Sequence, residues 1–153
     1  LAGSPDVSVV AERVAGAQRA FAEAGLTLAE NHILYGRPTV ESGAEMARRA
    51  MRLDPRPTAL LATNNFIAVG AFEALREAGL RVPEEMSLAG FDDLPPALVI
   101  DPFLTVVSQP AYEMGRRGAG LLLARLRGEG PTETQDIVLP TQLVIRRSTA
   151  APR

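Results

Sequence analysis

A parallel, doubly wound α/β sheet is the fold this sequence predicts. Three observations carry that prediction. Helix-like and strand-like apolar periodicities alternate along the first two thirds of the chain, two candidate strands are unbroken apolar runs, and Asn, Gly or Pro marks nearly every switch between them.

In chain order, Val10, Val14, Ala17, Phe21 and Ala24 step by four, three, four and three, which places them on one face of a helix over 8–24. Asp6 or Ser8 is the expected cap, and Gly25 the stop. His32-Ile-Leu-Tyr35 reads as a short strand, and 39–53 repeats the helical period through Val40, Ala44, Ala47 and Met51 until Asp54-Pro55 ends it. Thr58-Ala-Leu-Leu-Ala-Thr63 is a continuous apolar run, as expected of a strand covered on both faces. Asn65 then reads as the cap of a helix that carries Ala68, Phe72 and Leu75 to Gly79, and 86–90 is another buried strand. This βαβαβαβ order implies right-handed crossovers on a parallel sheet. Beyond the irregular stretch with Pro95-Pro96 and Asp101-Pro102, the spacing predicts a strand over 104–108, a helix over 110–127 and two short strands at 137–139 and 143–146. That last third is expected to belong to a second sheet.

Composition narrows the functions. With 153 residues, 46% hydrophobic and 22% charged, the chain is an ordinary globular domain, one that buries roughly 68–70% of its unfolded surface. A net charge of −2 offers no basic footprint for phosphate backbones. The absence of cysteine excludes disulfides and thiolate metal sites, and no run approaches the roughly 20 apolar residues of a membrane span. The opening Leu-Ala-Gly-Ser-Pro-Asp6 is not laid out as a signal peptide and reads as the end of a strand entering a loop, so an upstream segment is expected.

Ligands of open α/β sheets bind beyond the carboxyl ends of the strands. That rule selects Asn64 and Asn65, Asp92 and Asp93, Gln109, and the loop 3–8 with the helix it opens. Amides and carboxylates there suit the neighbouring hydroxyls of a sugar. Each residue also has a plainer reading: Asn65 and Gln109 as caps, Asp92-Asp93 as a turn, Arg13 as a solvated side chain. Catalysis is not expected. The adjacent carboxylates lack a second partner across a bond, His32 has no nucleophile motif beside it, and there is no phosphate-binding Gly loop, no metal-ligand cluster and no implied cofactor.

Three runs carry a family resemblance: Arg56-Pro-Thr-Ala-Leu-Leu-Ala-Thr-Asn64-Asn65-Phe-Ile-Ala-Val-Gly70, Ala78-Gly-Leu-Arg-Val-Pro-Glu-Glu-Met-Ser-Leu-Ala-Gly-Phe-Asp92-Asp93, and Asp101-Pro-Phe-Leu-Thr-Val-Val-Ser-Gln109-Pro110. With the ending Leu139-Pro-Thr-Gln-Leu-Val-Ile-Arg-Arg-Ser-Thr149, they resemble the effector-binding domain of LacI/GalR transcription regulators over essentially the whole chain. The resemblance implies a fold like type I periplasmic binding proteins, with two Rossmann-like lobes around an effector. Residues 1–103 then correspond to the second lobe, 104–130 to a strand and helix crossing to the first, and 131–153 to C-terminal strands and a tail. It implies effector contacts at Arg13, Asn64, Asp92 and Gln109, with Pro38 standing where an aromatic is frequent, and Asn65 in place of the usual Asp. Without an aromatic at Pro38 to stack on a flat base, a carbohydrate is the expected effector.

The resemblance also implies a cytoplasmic homodimer. Its interface would combine Ile67 and Val69 with the apolar segment around Leu98, Val99 and Ile100, and operator DNA would be bound only through a helix-turn-helix head outside this chain. A periplasmic receptor feeding a transporter is the alternative. The first testable consequence follows from the charge and the missing head: titrated against operator-containing DNA at moderate salt, this chain alone gives no sequence-specific complex.

Overall fold

The computed structural model describes residues 1–94 and 102–151. Helix α1 (Ser8–Glu23) begins at Val7 without a side-chain cap, so neither Asp6 nor Ser8 plays the expected part. It ends as expected. Gly25 adopts φ 71°, and the Leu26 N–H reaches back to the Phe21 carbonyl at 2.8 Å, closing the helix through a left-handed glycine. A 3₁₀ turn, Glu30–His32, takes the first residue of the expected strand at 32–35, which leaves His32 exposed in a turn; of that strand only Tyr35 pairs, in a parallel bridge with Ala2. Helix α2 (Val40–Ala50) is capped by Thr39, whose hydroxyl accepts from the Ser42 N–H at 3.2 Å.

Strand β1 (Ala59–Ala62) leads into helix α3 (Asn65–Glu77), and β2 (Ser87–Phe91) follows. Then come β3 (Thr105–Ser108), helix α4 (Ala111–Leu126) and β4 (Gln142–Val144). All four strands form one sheet in the order β1-β2-β3-β4, with the first three parallel and β4 antiparallel. The expected second sheet is therefore absent from the described residues: β3 and β4 complete the first one, and the only strand found after α4 is β4. β3, the strand expected to begin the crossing segment, pairs with β2. On the other side the sheet extends past β1. The Leu1 amino group donates to the Leu61 carbonyl and the Leu1 carbonyl accepts from the Thr63 N–H, while Ala2 donates to the Leu34 carbonyl and accepts from the Gly36 N–H.

Helices α2 and α3 cover one face, over a core of Met46, Ile67, Leu75, Met86, Leu88 and Val106. Gly43 and Gly70 let the two helices approach backbone to backbone: a Cβ at Gly70 would overlap the Val40 carbonyl, and one at Gly43 the Ile67 carbonyl. Small residues follow the same seam, with Ala44, Ala47, Ala68, Ala71 and Ala74 all buried. Ile67 is fully buried in this core, so its side chain cannot serve the interface expected of it; Val69 is half-buried. Leu98, Val99 and Ile100 lie outside the described residues.

The other face is thinly covered. Leu60 and Ala62 are buried under the helices, whereas Ala59 and Leu61 point away and are exposed, so β1 is not sealed on both sides as its apolar run suggests. Gly90 packs under Ala68 of α3, hence its neighbour Phe91 faces oppositely, and there the Arg13 guanidinium of α1 lies over its ring.

The glycine seam is directly testable. Gly70→Ala forces backbone against backbone in a packed layer and should cost at least about 1–3 kcal/mol. Gly115→Ala, where a Cβ meets nothing within 4 Å on the exposed helix α4, should instead be neutral or stabilise by up to ~1 kcal/mol. Thermal melts of the two variants should move in opposite directions or differ by several degrees.

Candidate functional site

The carboxyl ends of β1, β2 and β3 bring three of the sequence-selected residues together: Arg13, Asp92 and Gln109. Arg13 projects from the second turn of α1, where the Thr63 carbonyl at the end of β1 accepts from its Nη1 at 2.6 Å and the Phe91 ring centroid lies 4.5 Å from its guanidinium carbon. Its side chain is only 15% exposed, so it is not a solvated surface arginine. From that anchored position Nη1 stands 3.7 Å from Asp92 Oδ2, while Gln109 Nε2 donates to Asp92 Oδ1. Gln109 is thus no idle cap; the N-cap of α4 is Pro110.

Asp92 follows β2 at φ 66°, the one non-glycine residue among those described in the left-handed region. Such a conformation costs on the order of 1–3 kcal/mol and persists only where the surroundings hold it. The Asp92 N–H donates to the Val107 carbonyl at 3.0 Å, so its backbone is tied to β3. The next residue goes the other way. Asp93 forms a two-pronged ion pair with Arg146 at 2.8 and 2.5 Å, and its Oδ1 also accepts from the Leu94 N–H. The Arg146 guanidinium beside it holds the Asp93 carboxyl below the usual carboxylate range. The two carboxylates therefore diverge, as strand alternation suggests, but because the chain turns at Asp92 and not because the strand continues.

Asn64 caps α3, accepting from the N–H groups of Phe66 and Ile67 at 2.9 and 3.4 Å, and this corrects the sequence expectation that Asn65 is the cap. Among the described residues only the Asn64 carbonyl oxygen is engaged in this way, which leaves its amide N–H groups for another partner. Asn65 instead donates to the Asp93 carbonyl at 3.4 Å and so joins the start of α3 to the end of β2. Pro38 is exposed just before α2 and makes none of the contacts that join the other residues; its neighbours Arg37 and Thr39 line a separate concavity with Tyr35, Glu41 and Arg49. Beside the Asp92 cluster a second concavity opens between Asp92, Ser108, Gln109, Ala111 and Met114.

Sequence reasoning missed Phe91 and Arg146. The period of two along β2 signals Phe91, which shares a face with Ser87 and Ala89. Nothing local signals Arg146, which lies 53 positions from Asp93 at the end of the short strand expected over 143–146.

Comparison with known proteins places this geometry. Residues 1–149 match the periplasmic binding protein-like domain family. The HTH-type transcriptional repressor PurR of Haemophilus influenzae is 35% identical over 150 residues, covering 97% of this chain and 45% of the repressor. The HTH-type transcriptional regulator CelR of Thermobifida fusca is 36% identical over 148 residues, 97% of this chain and 43% of that protein. The chain thus spans a little under half the length of these curated relatives. Among solved structures, a complex of transcriptional regulator CelR with cellobiose superimposes with a TM-score of 0.86 at 36% identity, over 97% of this chain and 45% of that one. The Escherichia coli transcriptional repressor ascG gives 0.82 at 36% identity, over 98% and 54%. The family match, the relatives above 30% identity and the superimposed structures agree: this chain belongs to the periplasmic-binding-protein-like domain family, in the form carried by LacI-family transcription regulators.

Proposed function

We propose that this chain is the effector-sensing part of a LacI-type transcription regulator and that its strand-end cleft binds a neutral carbohydrate. The observation that carries the reading is the Asp92 carboxylate, held by a turned backbone at the end of a buried strand between Arg13 and Gln109. One ionised carboxylate accepts from two adjacent hydroxyls, and the flanking guanidinium and amide supply donors to the oxygens of the same diol. Charge supports a neutral ligand. Asp92 faces Arg13 and Asp93 is matched by Arg146, so these four residues present no uncompensated charge to an anion. The cellobiose complex of a relative at 36% identity points the same way.

In this reading Asn64 contributes its amide from the start of α3, and no catalytic step or cofactor is involved. The cytoplasmic regulator works as a homodimer that grips operator DNA through heads outside this chain. The effector acts by binding one arrangement of the lobes more tightly than the other; only that difference in affinity can shift the equilibrium.

Two experiments test the proposal. Calorimetry of the two-lobed regulator with neutral mono- and disaccharides, cellobiose among them, and with sugar phosphates should find a neutral ligand. Each hydrogen bond to a charged group contributes about 1.5–3 kcal/mol, so Asp92→Ala should weaken that binding at least tenfold. Unchanged affinity in a folded Asp92→Ala protein removes the central residue of the site. For the dimer, assigned to Val69 with the segment 98–100, sedimentation should show Val99→Asp dissociating at concentrations where the wild type is dimeric; a monomeric wild type overturns the interface.

A further inference from the structure

Arg146 has no place in the cleft, yet it lies at the centre of the polar network that holds the cleft's edge. Its guanidinium bonds both oxygens of Asp93 and donates to the Leu104 carbonyl at 2.9 Å, just ahead of β3. Its backbone is gripped as well: the Arg146 N–H donates to Thr105 Oγ1 at 2.9 Å, and Thr105 Oγ1 lies 3.3 Å from the Arg146 carbonyl and 3.0 Å from Thr149 Oγ1. Two residues on, the fully buried Ser148 accepts from the Thr105 N–H at 2.7 Å and donates to the Leu88 carbonyl at 2.6 Å. Arg146 therefore enters the end of β2 from a segment already locked to both β2 and β3. The fork is 17% exposed on the Arg146 side chain, and a planar guanidinium meeting both oxygens fixes the orientation of the carboxylate as well as its distance.

Asp92 immediately precedes that clamped residue and carries the left-handed backbone. A non-glycine residue holds such a conformation only where the surrounding structure over-determines it, and here it is held from both sides. On its N-terminal side the constraint is the bond from its own N–H to Val107. On its C-terminal side it is Asp93, through Arg146 and through the Asn65 amide on the Asp93 carbonyl.

We infer that Arg146 is a positioning residue for the effector site: by clamping Asp93 it holds Asp92 in the left-handed turn that aims its carboxylate at Gln109 and Arg13. Its bearing on ligand binding rests on the reading of Asp92 given above, whereas its effect on Asp92 is independent of any ligand. Asp93, which faces away from the cleft, thus acts on the site through the backbone of its neighbour.

The experiment is ligand-free NMR of the 153-residue chain and its variants Arg146→Met and Asp93→Asn. Two signals report directly. A strong intraresidue amide-to-Hα cross-peak marks the positive φ at Asp92, and the side-chain amide shift of Gln109 reports its bond to the carboxylate. In wild type both are present. In each variant the Asp92 cross-peak should be lost and the Gln109 amide should move to the position of a free glutamine, while the methyl resonances of Met46 and Leu75 stay in place. Arg146→Lys, which keeps the charge but not the fork, should give an intermediate Gln109 shift. Retention of both signals in folded Arg146→Met or Asp93→Asn overturns the proposal. Loss of folding in both variants overturns it too, since the pair would then be a general stability element. Failure of Asp92→Ala to weaken sugar binding sinks the effector reading alone and leaves this result standing.

Discussion

The contact between the backbones of α2 and α3 at Gly43 and Gly70 is the constraint from which the site geometry follows. Because these helices touch without intervening side chains, small residues close the seam and Met46, Ile67 and Leu75 reach the sheet beneath. The position of α3 then fixes its own start. Asn64 caps that start, Asn65 next to it bonds the Asp93 carbonyl, and so the helix layer sets the height at which β2 ends. An added methyl group at the seam is therefore felt at the start of α3, because protein interiors transmit displacement better than they absorb it.

The two faces of the sheet divide the work. The face under α2 and α3 is apolar and closed, and it supplies cohesion through burial. The face under α1 carries few large buried side chains and places an arginine over an aromatic ring, an arrangement worth about 0.5–2 kcal/mol depending on how dry it is. That stacking matters more for aim than for stability. Phe91 and the Thr63 carbonyl together leave Arg13 little freedom, so under the proposed function less ordering entropy would be lost on binding.

Adjacent aspartates at the end of a strand repel unless their charges are separately answered, and here they are answered from opposite directions. Asp93 turns to an arginine that arrives from the C-terminal segment, which holds its carboxyl ionised below the usual range. Asp92 turns to the cleft. Oppositely aimed neighbours let one carboxylate serve the scaffold while the other stays available to a ligand.

How much of this was legible in the residue order depends on the range of the interaction concerned. Periodicity and glycine stops located α1, α2, α3, α4 and the three parallel strands to within a few residues, because each is set by contacts a few positions apart and by one inward face. The strand-end rule likewise picked out Asp92 and Gln109, since parallel topology alone brings the ends of β1, β2 and β3 to one edge, whereas Arg13 was singled out only by the family resemblance. What local order could not convey was anything decided by packing between distant segments. An apolar run looks alike whether one face or both are covered, so the exposure of Leu61 was hidden, and so was the burial of Ile67. The choice of Asn64 over Asn65 as cap turned on where α3 had to begin to meet α2. The pairing of Asp93 with Arg146, and with it the left-handed turn at Asp92, exists only because an antiparallel β4 brings the C-terminal segment back beside β3, a long-range closure that no window along the chain contains.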